Sequence, residues 1–212
     1  AKMIHEEYCP MAQTDHTSSV QRIIDALKDK PGEKYAFIVW AGKSPPLEQM
    51  AVMKIEKYGI KATTGGNILP VLKSWHPLLK AYENLRGFKG GAYYYYELPQ
   101  NPVNDWFVKE HQARFKEPPD FFTCGGFAAA MAVFRAFEKA KSTDTEKLIA
   151  TMEGMEFMTP KGRMYFRNID HQAMQSMYIF KMDVRPDREW AVPVLVRDIS
   201  PEEGAPPILV KR

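Results

Sequence analysis

Thr159-Pro160-Lys161-Gly162-Arg163-Met164-Tyr165-Phe166-Arg167, followed by Asp170-His171-Gln172-Ala173-Met174-Gln175 and the run Met177-Tyr178-Ile179-Phe180-Lys181-Met182, is the stretch from which the fold can be read. Pro160 and Gly162 around Lys161 are turn chemistry. Met164 and Phe166 alternate with Arg163, Tyr165 and Arg167 at the period of a half-buried strand. A hairpin is therefore expected, with an apolar strand after it. Asp170 beside His171 has the composition of an acid–base pair, but neighbours in extended chain point to opposite faces and no third orienting group accompanies them. Structural hydrogen bonding is their expected role.

Upstream of the hairpin, the turn-rich Pro99-Gln100-Asn101-Pro102 precedes three helices in succession. Val103 to Phe115 reads as amphipathic. Asp120 to Lys139 is longer, with Phe127, Ala130, Met131, Phe134 and Phe137 assigned to its inner side, and Thr143 or Asp144 caps a short helix through Leu148, Ile149 and Met152. Apart from the hairpin, this region supplies no strand to cover so much apolar helix surface. A helix group with a wide apolar face and no sheet is incomplete.

The first half of the chain alternates strand and helix. Lys2 to Tyr8 is read as a short strand; Asp15 or Thr17 caps a helix whose Val20, Ile23, Ile24 and Leu27 follow the 3.6 period up to Pro31-Gly32. Tyr35 to Trp40 is a continuous apolar run of strand length, the pattern of a strand buried on both faces in a parallel sheet. Leu47 to Tyr58 reads as a helix stopped by Gly59, Ile60 to Thr64 as a weak strand before the turn Gly65-Gly66-Asn67, Val71 to Leu85 as helical and Gly91 to Leu98 as a tyrosine-rich strand. This β-α-β-α-β-α-β series predicts an α/β fold with a doubly wound parallel sheet.

Composition narrows the function classes. The chain has 212 residues and a formal charge of +3, from 29 basic and 26 acidic side chains spread along it. Nucleic-acid binding would demand clustered basic faces, so no nucleic-acid partner is expected. The longest apolar candidate, Phe127 to Phe134, stops at Arg135, short of a membrane span, and Ala1-Lys2-Met3-Ile4-His5 reads as mid-strand rather than as an export signal. A soluble chain is expected. Cys9 and Cys124 are compatible with a long-range disulfide, worth about 4–5 kcal/mol on the chain-entropy model, and equally with two free, buried thiols. No cofactor motif is present, and Cys124 has no base near it in sequence.

Taken in order, the Thr14-Asp15 helix, Ile38-Val39-Trp40-Ala41-Gly42, Gly65-Gly66, Tyr95, Pro118-Pro119-Asp120, the Ala-rich helix, Thr145-Glu146-Lys147-Leu148 and Pro160-Lys161-Gly162 resemble the carboxy-terminal part of the solute-binding proteins of branched-chain amino acid ABC transporters. The resemblance covers almost the whole chain. It implies a type I periplasmic binding fold, with residues 1–99 and 175–212 in the ligand-binding second lobe and residues 100–174 as helices and hairpin of a first lobe whose sheet is absent. It also implies a periplasmic, non-enzymatic protein that binds a small organic ligand in a hinged cleft and passes it to an ABC permease. The helix face left without a sheet is then expected to be covered by a homodimer partner or by a retained amino-terminal fragment.

Ligands of open α/β sheets lie beyond the carboxyl ends of the strands, where helix amino termini converge. The candidates there are Ala41, Gly42, Lys43, Gly65, Gly66, Asn67 and Tyr95. Amino-acid-binding members of the resembled family place an aromatic residue where Lys43 stands, and an acid that holds the ligand ammonium where Asn67 or Ile68 falls. An aromatic or aliphatic carboxylate therefore fits better than a zwitterion. Two other classes share the residues: a ligand-sensing domain of a receptor or amide-responsive regulator of the same fold, which upstream sequence would reveal, and an enzyme using Cys124 or His171, which turnover assays would reveal.

Overall fold

Most of the helices start where a polar side chain accepts a first-turn amide. The structure, a computed structural model, describes residues 2–39, 46–64, 69, 72–73 and 86–209. In α1 (Thr17–Leu27) the Asp15 carboxylate accepts the Thr17 amide at 2.9 Å, and Val20, Ile24 and Leu27 are buried. Strand β1 (Lys34–Ile38) pairs in parallel with β2 (Ile60–Thr64), Lys34 opposite Ile60. Between them α2 (Leu47–Val52) ends early, because Lys54 adopts a left-handed conformation, and a 3-10 turn follows over Ile55–Tyr58 before Gly59. Val20, Ile24, Leu27, Ala36, Ile38, Met50, Ile55 and Ile60 form one core cluster.

Two sequence expectations fail in this half. The Tyr35–Trp40 run is not buried on both faces: Ala36 and Ile38 face the core, whereas Phe37 is 65% and Val39 82% exposed. Lys2 to Tyr8 forms no strand, because β1 pairs only with β2 among the described residues and an extended segment without a neighbour has no ladder to join. That segment is tethered instead by the Glu7–Arg22 ion pair, which pulls the Glu7 carboxyl down to about 2. The helical expectation over Val71 to Leu85 lies almost wholly outside the described residues.

The second half is built on two antiparallel sheets. Strand β3 (Lys89–Ala92) pairs with β7 (Met177–Asp183), which pairs with β8 (Val192–Ile199), giving the order β3-β7-β8. Strands β4 (Glu156–Thr159), β5 (Gly162–Phe166) and β6 (Ala173–Gln175) form the other sheet, in that order. The architecture is thus mixed α/β, with a parallel pair followed by antiparallel sheets. The strand expected over Gly91–Leu98 ends at Ala92; Tyr93 to Leu98 leaves the sheet and turns, with the Leu98 amide donating to the Tyr95 carbonyl at 2.9 Å. Three of the four tyrosines, Tyr94, Tyr95 and Tyr96, are therefore buried.

Helix α3 (Pro102–Phe115) starts on Asn101, whose side chain accepts from the Val103 and Asn104 amides, with Pro102 at the first helical position. It is less amphipathic than expected, since Asn104 and Phe107 are its buried residues while Trp106 and Phe115 are exposed. Helix α4 (Phe121–Ala140) is capped by Asp120, whose carboxylate accepts the Thr123 amide at 2.8 Å. Among the described residues α4 is long and apolar enough, by length and composition, to cross a membrane, which the sequence reading missed by ending the apolar run at Arg135. Its buried positions are Cys124, Ala128, Ala132 and Ala136, and the last three pack on Met155, Phe157 and Met164 at the hairpin. Phe134 and Phe137, assigned to the inner side from sequence, are exposed. Helix α5 (Thr145–Met152) is capped by Asp144.

Candidate functional site

Six of the seven candidate ligand residues, Ala41, Gly42, Lys43, Gly65, Gly66 and Asn67, lie outside the described residues. The seventh, Tyr95, is fully buried, its ring centroid 4.6 Å from that of Tyr96 and its hydroxyl accepting from the Trp190 indole at 3.1 Å. Burial pushes its phenol well above the usual tyrosine range. Next to it, Arg188 pairs with Glu97 at 3.2 Å. The loop between β7 and β8 is thereby strapped onto the segment that leaves β3.

That segment crosses from one sheet region to the other, and the chain crosses back where β6 runs into β7 through Ser176. Asn104 organises the first crossing. Its Oδ1 accepts from the Tyr94 hydroxyl at 2.8 Å, and its Nδ2 donates to the carbonyls of Tyr96 and Pro99. Beside it a cavity of about 490 Å³ opens between the crossing segment and α3, lined by Tyr96, Glu97, Gln100, Asp105, Lys109 and neighbours. Acids and a lysine share this wall, so it presents no single charge to a ligand.

The hairpin turn meets both crossings. The Asn101 side chain donates to the Pro160 carbonyl at 3.0 Å, and the Tyr178 hydroxyl to the Lys161 carbonyl at 3.1 Å. Gly162, directly after the Pro160–Lys161 turn, takes a positive φ of 91°, a conformation glycine adopts without strain where the turn leads into β5. The Lys161 side chain turns inward and is only 3% exposed. Sequence reasoning missed this, because a lysine at a turn tip between Pro and Gly has every signal of a solvated residue.

The alternative chemistries find little support in the geometry. Burial in α4 pushes the Cys124 thiol up to about 12, far from the thiolate a nucleophile requires. Cys9 is not joined to it; its sulfur lies 3.3 Å from the Ser19 hydroxyl. Asp170 pairs with Arg167 and accepts the Gln172 amide, while His171 pairs with Glu153 at 3.1 Å, so both hold the loop between β5 and β6. Among the described residues no group of three or more His, Cys, Asp or Glu side chains is arranged to hold a metal ion.

The chain leaves one sheet after β3, builds a helix group with a hairpin sheet, and returns to the first sheet through the adjacent strand β7. Residues 1–188 match the family model described as periplasmic binding protein, and the chain belongs to that family. It is similar to the 1.50 Å structure of an ABC-type branched-chain amino acid transporter from Rhodopseudomonas palustris, with 55% identity and a TM-score of 0.85 over 97% of this chain and 54% of that one. It shares its fold with two more distant structures. One is an amino acid ABC transporter substrate-binding protein from Pseudomonas fluorescens, at 19% identity and TM-score 0.71 over 92% of this chain and 51% of that one. The other is a solute-binding protein from Rhodopseudomonas palustris in complex with 3,4-dihydroxybenzoic acid, at 24% identity and TM-score 0.68 over 90% and 50%. The chain spans about half the length of these structures. No curated protein matches it.

Proposed function

We propose that the chain forms much of the ligand-binding lobe and the hinge of an extracytoplasmic, non-enzymatic solute-binding component of an ABC transporter. The protein closes on a small organic acid and presents it to a membrane permease. The observation that carries this reading is the 55% identity, over 97% of the chain, to an ABC-type branched-chain amino acid transporter. Residues 1–99 with 175–212 form the ligand lobe and 100–174 belong to the other lobe. The cluster around α1, β1 and β2 lies wholly within the first of these and the cluster between α4 and the hairpin wholly within the second, while a third, with Tyr94, Phe107, Cys124 and Phe180, spans the division.

Lys43 meets the ligand carboxylate, Gly42, Gly65 and Gly66 let backbone amides approach it, and Ala41 and Asn67 line the same wall. Tyr95 joins the site by exchanging its Trp190 contact for a ligand. An acid at Asn67 or Ile68 would have held an ammonium; without one, an aromatic or aliphatic carboxylate is favoured over an amino acid. The fold accommodates such a ligand, since one structure that shares it is a complex with 3,4-dihydroxybenzoic acid.

Calorimetry on a protein spanning the full length of the matched structures tests this, with aromatic carboxylates and leucine-type amino acids as titrants. Lys43→Ala is expected to weaken carboxylate binding about ten- to a hundredfold, the value of a charged hydrogen bond. Tight amino-acid binding that ignores Lys43→Ala would overturn the ligand assignment.

A further inference from the structure

Lys161 is buried with no carboxylate beside it. Its Nζ lies 3.5 Å from the centroid of the Tyr93 ring, 3.2 Å from Gln175 Oε1 and 3.9 Å from Met177 Sδ. Among the described residues no acidic side chain lies within ion-pair distance of it. The groups around it come from different parts of the fold: Tyr93 from the first crossing, Gln175 from β6, Met177 and Tyr178 from β7, and Cys124 from α4. A charged amine loses its hydration in such a site, and the face of one tyrosine ring restores only part of it.

The position matters as much as the burial. Through the Pro160–Lys161 turn, the β4-β5-β6 sheet touches α3, by way of Asn101, and the β3-β7-β8 sheet, by way of Tyr178. Separating the sheets there would expose the amine to water.

We infer that Lys161 is a proton-operated latch: as a neutral amine it seats the hairpin turn against both crossings, and on protonation it favours release of the hairpin from the β3-β7-β8 sheet.

Burial pulls the Lys161 amine down to about 7 from the ordinary lysine value of 10.5. The titratable groups that face it do not compete in this range. Burial raises the Tyr93 and Tyr178 phenols and pushes the Cys124 thiol up to about 12, so all three stay neutral; Asp120, at the head of α4, acts on Cys124, and Asp198 on Tyr178. The latched form binds fewer protons than the released one between about pH 7 and 10.5. Latching therefore strengthens as pH rises through that window and is weakest at and below pH 7. This inference goes beyond the transport reading and does not depend on which ligand is bound.

Hydrogen exchange of the peptide spanning Glu156–Phe166, read by mass spectrometry, tests it when the protein is compared with Lys161→Met at the same pH, so that the intrinsic pH dependence cancels. At pH 6 the hairpin of the unaltered protein should exchange roughly ten- to a hundredfold faster than that of Lys161→Met, each pH unit of linkage being worth a factor of about ten. By pH 9, still inside the window that ends near 10.5, the ratio should have fallen by at least about tenfold. Lys161→Gln, which keeps a polar group without the charge, should behave like Lys161→Met and replaces it if that variant does not fold. Tyr93→Leu should move the midpoint of the change. A ratio that is constant from pH 6 to pH 9, or a midpoint that Tyr93→Leu leaves in place, would overturn the latch.

Discussion

Asn104 is the residue on which the first crossing depends. It is 2% exposed, yet its amide completes the hydrogen bonding of three groups: the Tyr94 hydroxyl and the carbonyls of Tyr96 and Pro99. Removing one partner from a buried set costs more than the bond itself contributes, because the groups left behind have lost water and gained nothing. Asn104→Leu is therefore expected to destabilise the protein by about 3 kcal/mol or more, whereas Tyr94→Phe, which leaves both carbonyls satisfied, should cost about 1 kcal/mol. Denaturant unfolding of the two variants measures the contrast. Equal costs would mean that water enters beside α3 and replaces the amide. The same logic explains why Asn101 matters twice, as the cap of α3 and as a donor to the Pro160 carbonyl that fixes the hairpin turn.

At the scale of elements, α4 has two apolar faces that serve different partners. Small residues spaced four apart, Cys124, Ala128, Ala132 and Ala136, make its buried stripe, and the last three let the hairpin approach closely. Its outer side carries Phe122 and Phe134, 71% and 67% exposed. Phe122→Glu with Phe134→Glu should therefore leave the melting temperature almost unchanged while reducing self-association of the 212-residue chain, as read by light scattering. Ala132→Leu should cost about 1–3 kcal/mol by overpacking the stripe. The sequence reading put the largest side chains inside, a sound rule that fails where two backbones must come close. Other features were legible because they are local. Asp120 was read as a helix start, Asp144 as one of two candidate caps with Thr143, of which the structure uses Asp144, and Pro160-Lys161-Gly162 as a hairpin turn, each decided within four residues. What depended on a neighbour was not legible: Lys2–Tyr8 has no pairing strand among the described residues, β1 exposes Phe37 and Val39 on one face, and the tyrosine strand stops where its pairing with β7 stops. The candidate site shares that limit. Tyr95 was placed at the carboxyl end of a strand that in fact ends three residues before it, and the burial of Lys161 arises from groups more than ten residues away in sequence.

Across the whole molecule, apolar surface is left open on β1, at Phe37 and Val39, and on α4, at Phe122 and Phe134. Fully burying a large apolar side chain is worth about 1.5–3 kcal/mol, so four such residues represent several kcal/mol, comparable with the net stability of a domain. The chain aligns over 97% of its length with a structure of which it spans only 54%. If the two-lobe reading holds, the surface opposite the candidate site belongs to residues beyond this sequence, and so does half of the ligand enclosure. A pocket binds well when it buries most of its ligand, and one wall cannot do that. The 212-residue chain alone is therefore expected to show no strong hit in a thermal-shift screen of aromatic carboxylates and amino acids, while a protein of the relatives' full length should show a clear rise with at least one of them. Light scattering with intact-mass measurement on the same preparation should find the short chain associated, either with itself or with an amino-terminal companion. Sub-micromolar ligand binding by a strictly monomeric 212-residue chain would mean that the cleft is complete within this sequence, and the division at residues 99–100 and 174–175 would have to be abandoned.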